Sequence, residues 1–237
     1  MIKKAITYFS MGEIMLWVFS MALILVAFCL FGGNGVLSLV ASLIGVTSIL
    51  LNAKGNPIGQ FLMIVFSLLY GIISYSFAYY GEMITYLGMT MPMAAFALIT
   101  WLRHPYKGNR SEVQVNSISK VEVVIMFLVA AIVTAVFYFI LDHFHTANIV
   151  PSTISVTTSF LAVYLTFRRS PFFSLAYAAN DVVLIILWTL ASLEDKKYIA
   201  VTVCFAAFLL NDIYGFINWQ KMKKKQSITV DNKVSND

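Results

Sequence analysis

The chain has 237 residues, 60% of them hydrophobic and only 11% charged, with a mean hydropathy of +0.84. A water-exposed surface needs nearer a quarter charged residues, so an ordinary soluble domain is excluded and lipid must be the solvent for most of the outside. The net charge of +5 sits in the breaks between apolar runs, which assigns it to membrane orientation and not to nucleic acid.

A span needs about 20 apolar residues to cross about 30 Å of hydrocarbon. In chain order, eight runs qualify: 14–31, 36–53, 58–79, 83–102, 121–141, 150–167, 173–193 and 198–219. The first follows Lys3 and Lys4, as a signal peptide would, but it is long for one and lacks a clean cleavage site; it is read as a retained helix. All eight are predicted helices, because backbone groups find no partner in lipid and the runs lack the alternation of barrel strands. Breaks fall at Gly32-Gly33-Asn34-Gly35, Gly55-Asn56-Pro57, Gly81, His104-Pro105 and Ser170-Pro171. The run 150–167 is rich in Ser and Thr, whose hydroxyls can bond within the helix or across to neighbours. The stretch 221–237 is polar and reads as a tail without a core.

Of sixteen Lys+Arg, an eight-helix count with a cytoplasmic N-terminus leaves only Lys196 and Lys197 outside. The basic bias therefore predicts both termini in the cytoplasm. A seven- or nine-helix count would spoil it.

The chain also shows a faint internal repeat. Asn56-Pro57 opens the third helix after a basic loop, and Ser170-Pro171 opens the seventh after Arg168-Arg169. Superposing Pro57 on Pro171 aligns helices two to four with six to eight and brings Trp101 opposite Trp219, after about four extra residues before the last helix. The single helix between the blocks keeps them parallel. The predicted organisation is an N-terminal helix over 1–35, a first repeat over 36–103, a loop and linker helix over 104–149, a second repeat over 150–220 and a tail over 221–237. Parallel repeats build some transporters, with the solute site between the halves.

Ionisable groups inside spans are rare and mark function. Two lie away from helix ends, Asp181 and Asp212, each after an asparagine. Glu13, Glu82 and Asp142 sit at ends, where water is expected to reach them. Helical geometry places Ser174, Tyr177, Asp181 and Trp188 on one face of helix seven. Asn211, Gly215 and Asn218 share a face of helix eight, with Asp212 and Trp219 on its flank. Gln60, Ser67, Gly71 and Ser74 line up on helix three, with Tyr70 beside them. Such stripes suit a flat, hydroxylated, cationic solute, by ring stacking, hydrogen bonds and charge. The same residue types also serve as glue between helices. Asp142-His143-Phe144-His145 is better read as an interfacial loop than as metal ligands, and His104-Pro105 as a helix stop. Ser38/Ser42 and Ala131/Ala135 have the small-residue spacing of close helix packing. Cys29 and Cys204 lie in apolar runs and act as small hydrophobes. No Walker, HExxH or nucleophile-elbow motif occurs, so neither ATP drive nor hydrolysis is expected.

These residues resemble a known family. Asn56-Pro57-Ile58-Gly59 through Tyr80-Gly81-Glu82 looks like an Asn-Trp-Pro-x-Gly opening followed by a tyrosine–acid pair, without the tryptophan. Ser174 through Asp181 is similar to a Trp-x-x-Trp-x-x-x-Asp pattern, with Ser174 and Tyr177 in place of the tryptophans. Gly215-Phe216-Ile217-Asn218-Trp219 resembles a Gly-Trp-x-x-Trp close, with Phe216 in place of the first tryptophan. Together they resemble the PnuC family of bacterial nicotinamide riboside transporters, over about residues 36–220, and Trp101 through Lys107 fits a Gram-positive-like branch. The resemblance implies an all-α membrane fold of three plus one plus three helices, like the SWEET sugar carriers, preceded here by one helix. It implies facilitated uptake of nicotinamide riboside through the bacterial cell membrane without a cofactor. It also implies trapping by a cytoplasmic kinase, and often a homotrimer. Related carriers take thiamine or riboflavin, and these are the alternative solutes. The candidate solute contacts are Gln60, Tyr70, Tyr177, Asp181, Trp188, Asn211, Asp212, Asn218 and Trp219. A membrane enzyme or sensor is the competing class; it would need a reactive cluster that the sequence does not display.

Overall fold

The computed structural model describes residues 8–31, 35–76, 79–146 and 148–234, with side chains through residue 228. Lys3, Lys4, the Gly32-Gly33-Asn34 break, the Lys233 side chain and the end of the tail lie outside the described residues. Among the described residues, eight helices are long and apolar enough to cross a membrane: α1 (Met11–Phe31), α2 (Val36–Ala53), α3 (Pro57–Ser76), α4 (Tyr80–Arg103), α5 (Lys120–His143), α6 (Ile149–Phe167), α7 (Phe173–Glu194) and α8 (Ile199–Val234). The chain is thus an all-α multi-pass membrane protein. The Ser/Thr-rich run does form a helix, α6. Its buried face carries Ser152, Ser155, Ser159 and Thr166, and several of its hydroxyls bond back one turn.

Three features differ from the sequence reading. Gly81 lies inside α4 and not in a break. That helix changes pitch at Tyr86–Thr90, a five-residue π-helix. The polar stretch after residue 220 continues α8 to Val234. It does so because Met222 and Gln226 are buried against the loop after α4. That loop forms a small antiparallel hairpin of β1 (Pro105–Tyr106) and β2 (Asn109–Val113). Gln226 reads its backbone twice: its amide nitrogen donates to Val113 O at 3.1 Å, and its amide oxygen accepts from Val115 N at 2.8 Å.

In the packing, α2, α3 and α4 form one group and α6, α7 and α8 another. Contacts of α8 with α2 and of α4 with α6 close them on each other. Helix α1 lies on α2 and α8, and α5 on α6. The hairpin segment ties both groups at one end. Val113 N donates to Gly55 O at 2.9 Å, and Asn116 N donates to Arg169 O at 2.9 Å. Gly55 and Arg169 each hold a left-handed φ, of 67° and 55°, which ends the preceding helix and turns the chain.

Helix α1 is fixed by an ion pair between a buried acid and a partly buried lysine. Lys54 Nζ lies 2.9 Å from Glu13, which also accepts from Tyr214 Oη and Ser10 N. Glu13 is therefore buried, not bathed by water as its place near a helix end suggests. The same correction holds for Glu82, which is buried at the start of α4. Ser38 and Ser42 are buried, whereas Ala131 and Ala135 are exposed on α5, along a surface groove shared with Thr153 and Thr157 of α6.

Helices α2 and α3 approach closely at Gly59. A Cβ there would meet Asn52 Oδ1 at 2.3 Å and Asn52 N at 2.7 Å. Backbone cannot yield as a flexible side chain does. Gly59→Ala is expected to cost about 1–3 kcal/mol, read as a lowered thermal midpoint of the purified protein.

Candidate functional site

Between the two groups lies a narrow cavity of about 30 Å³, room for one or two waters. All six helices of the two groups line it. They supply Gly45, Ile49 and Asn52 from α2, Met63 and Phe66 from α3, and Tyr86 and Thr90 from α4. Ser159 comes from α6, Phe173, Tyr177, Asn180 and Asp181 from α7, and Phe205, Phe208 and Asp212 from α8. The π-helix carries Tyr86 and Thr90, which lie four residues apart and share its cavity-facing side. An extra residue in a helical turn re-aims side chains, and such turns are frequent at functional sites.

The polar groups are arranged by depth. Asp181 and Asp212, both buried, face one another in side-chain hydrogen-bond contact. Asp181 Oδ2 accepts no hydrogen bond from any described donor. Next to Asp181, Asn180 Oδ1 accepts from Thr158 at 2.8 Å and Ser159 at 3.1 Å. The α6 hydroxyls thereby hold the amide at the wall. Asn52 Oδ1 accepts from Gln60 Nε2 at 2.8 Å. Aromatic rings close the remaining sides, with Phe66 and Tyr86 edge-on at 5.8 Å and Phe66 and Phe208 at 5.7 Å.

A second small cavity, of about 20 Å³, lies beyond Phe66 and Phe205, which line both. Tyr70 and Trp188 line it and meet edge-on at 6.4 Å. Tyr70 also lies 4.5 Å from Tyr86, and Trp188 lies 4.9 Å from Tyr79. Glu82 stands near this aromatic group, in contact with the Ser155 hydroxyl, with Oε2 unpartnered among the described residues.

On the hairpin side the first cavity is floored by Asn52 and Phe173. Beneath them Trp101 and Trp219, both fully buried, lie 5.4 Å apart, and Phe173 meets Trp219 at 4.7 Å.

The residues expected at the site thus divide. Tyr177, Asp181 and Asp212 line the central cavity. Tyr70 and Trp188 line the neighbouring one. Gln60 stands behind Asn52. Asn211 is turned toward α1, its amide donating to Ser20 Oγ at 2.8 Å. Asn218 donates to Ala53 O at 2.8 Å, and Trp219 Nε1 donates to Asn52 O at 2.8 Å; both belong to the packed floor. Sequence reasoning did not select Asn52, Phe66, Tyr86, Asn180 or Glu82. Asn180 was legible as the neighbour of Asp181, and Glu82 as an acid beside an apolar run. Tyr86 carried no signal, because nothing in Tyr86-Leu87-Gly88-Met89-Thr90 announces a π-helix.

Residues 35–221 match the family model described as nicotinamide mononucleotide transporter. A relative from Neisseria mucosa, the nicotinamide riboside transporter PnuC, is 23% identical over 201 residues, which cover 83% of this chain and 76% of that one. The crystal structure of the vitamin B3 transporter PnuC has a similar fold. The TM-score is 0.80 at 21% identity, covering 92% of this chain and 94% of that chain.

Proposed function

Because the chain belongs to the nicotinamide mononucleotide transporter family, we propose that it carries nicotinamide riboside into the cell by facilitated diffusion. The observation that carries this reading is the central cavity: two contacting carboxyl groups, walled by aromatic rings and fixed amides, between two three-helix groups of a membrane-embedded chain. A pyridinium ring is cationic and flat, its carboxamide needs amide partners, and its ribose needs hydrogen-bonding oxygens. In this reading Asp181 and Asp212 meet the charge, while Tyr177, Tyr86 and Phe66 stack the ring. Asn180 and Asn52, the latter held by Gln60, meet the carboxamide and hydroxyls. Tyr70 and Trp188 take the solute before or after the central position. Asn211, Asn218 and Trp219 hold helices in place around it. A solute pocket usually measures about 300 Å³ or more, so at about 30 Å³ the cavity is closed, and carriage requires the two groups to part.

The repeat reading is supported by paired hydrogen bonds. Shifting residue numbers by 114 maps Asn52 onto Thr166, by the same superposition that aligns Pro57 with Pro171. Trp219 Nε1 donates to Asn52 O, and Trp101 Nε1 donates to Thr166 O at 3.0 Å. Each tryptophan thus caps the first helix of the opposite block. The turns agree too: Asn56 N donates to Leu51 O at 3.0 Å, and Ser170 N to Leu165 O at 2.9 Å. Two equivalent blocks that rock about a shared floor are the architecture this transport mode requires. A homotrimer, and a kinase that phosphorylates the solute inside the cell, complete the proposal.

The deciding experiment is uptake by liposomes holding the purified protein. Labelled nicotinamide riboside is expected to equilibrate without ATP or an ion gradient, while thiamine and riboflavin stay outside. Carriage of thiamine or riboflavin in place of the riboside would overturn the assignment.

Orientation follows from the basic bias, with the hairpin in the cytoplasm of a bacterial cell. In a background with Cys29 and Cys204 replaced, Glu194→Cys is expected to react with an impermeant thiol reagent in intact cells. Ser111→Cys is expected to react only after the membrane is opened. The reverse pattern would invert the topology.

A further inference from the structure

The central cavity contains a charge arrangement that the proposed function does not by itself explain. Asp181 on α7 and Asp212 on α8 touch through their carboxyl groups. Both are at least 96% buried. No Lys, Arg or His lines the cavity among the described residues. The other titratable groups facing the pair are Tyr177 from α7, Tyr86 from α4 and Cys204 from α8, with Glu82 and Tyr70 behind Tyr86. The linings from α2, α3 and α6 are not titratable. None of these groups supplies a positive charge.

Two ionised carboxylates in contact, away from water and from cations, repel strongly. A proton between them turns that repulsion into a hydrogen bond and leaves one negative charge on the pair. The second observation is the unpartnered oxygen. Asp181 Oδ2 accepts from no described protein donor, though it is buried and its residue lines the cavity. With no protein donor aimed at it, this oxygen is open to a proton shared with Asp212 or to a donor on the solute.

The geometry points to a single-charge site: Asp181 and Asp212 hold one proton between them and together present one negative charge, matched to an aromatic solute with one positive charge. The inference rests on the reading that the cavity carries a riboside. It adds that the loaded site is electrically neutral, that the proton stays in place through the cycle, and that the two aspartates back one another up. An asparagine at either position still donates N–H to the remaining carboxylate and keeps the single negative charge. Asparagine at both positions removes it.

Binding of nicotinamide riboside and of its uncharged, reduced dihydro form is measured by titration calorimetry on the purified protein. Asp181→Asn and Asp212→Asn are each expected to weaken riboside binding about threefold, and the double variant at least about thirtyfold. The dihydro form is expected to lose much less in the double variant. Single losses that simply multiply in the double variant, or equal losses for the charged and uncharged forms, would overturn the inference. Where the double variant fails to fold, the wild type decides. Titrations in two buffers of different ionisation heat are expected to show close to zero protons exchanged per bound riboside, and release of one proton would refute a retained shared proton. A wild type that binds no riboside removes the proposed function together with this inference. A wild type that binds it, with singles that multiply, removes the inference alone.

Discussion

Replacing Lys54 by methionine is expected to destabilise the protein by about 2–4 kcal/mol, because removing the partly buried cation leaves the buried Glu13 charge stranded. Lys54 is the only described cation within salt-bridge distance of Glu13, whose side chain is 4% exposed. The remaining donors to Glu13, Tyr214 Oη and Ser10 N, offset part of the loss but cannot supply a charge. The ammonium also lies 4.8 Å from the Tyr8 ring, a cation–π contact that methionine does not reproduce. The effect is expected as a lowered thermal midpoint in detergent. Combining Lys54→Met with Glu13→Gln removes both charges and keeps an acceptor for Tyr214, so it is expected to recover much of the loss. A double variant no more stable than Lys54→Met would show that the cost came from lost packing and not from a stranded charge. The pair joins α1, which stands outside the repeat, to the end of α2, and Glu13 also accepts from Tyr214 within α8, so its loss also tests whether α1 is needed to hold the two groups together.

The helices were legible because each needs a long apolar run and most breaks carry Gly, Pro or a basic cluster. What the sequence concealed was depth and partnership. A helical wheel gives the direction of a side chain around its axis but not its level along the membrane normal. Asn218 and Trp219 therefore looked like neighbours of Asp212, yet they lie at the floor, bonded to Ala53 O and Asn52 O. The wheel likewise gives one helix at a time. Asp181 and Asp212 fell on separate stripes, and only the packing of α7 on α8 brings their carboxyls into contact. Glu13 and Glu82 sit near helix ends, where water is the default expectation; partners distant in sequence, Lys54 and Tyr214 for one and Ser155 for the other, cover them instead. The helical tail was hidden by its own lysines. Lys221 to Lys225 read as solvated polymer, while Met222 and Gln226 on the other face find the hairpin.

The paired tryptophans give the other large effect. Trp101→Ala and Trp219→Ala are each expected to cost about 3–5 kcal/mol, since each empties a fully buried ring and leaves a carbonyl at a helix end without its indole donor. If the two blocks are equivalent, the costs should be similar, because Trp101 with Thr166 O and Trp219 with Asn52 O are one interaction made twice. The rings lie 5.4 Å apart and share Phe173, so the double variant should cost less than the sum, the second cavity merging with the first. Thermal unfolding of the three variants measures this. Trp→Phe changes keep one aromatic ring and remove the donor, and each carbonyl still accepts a backbone N–H, Gly55 N for Asn52 O and Arg169 N for Thr166 O, so the lost hydrogen bond is expected to cost about 0.5–1.5 kcal/mol beyond the smaller packing loss. A Trp219→Phe protein that unfolds at the wild-type temperature, beside a strongly destabilised Trp101→Phe, would mean that the two blocks do not bear on the floor alike. The paired hydrogen bonds would then be a likeness of sequence spacing and not a working symmetry.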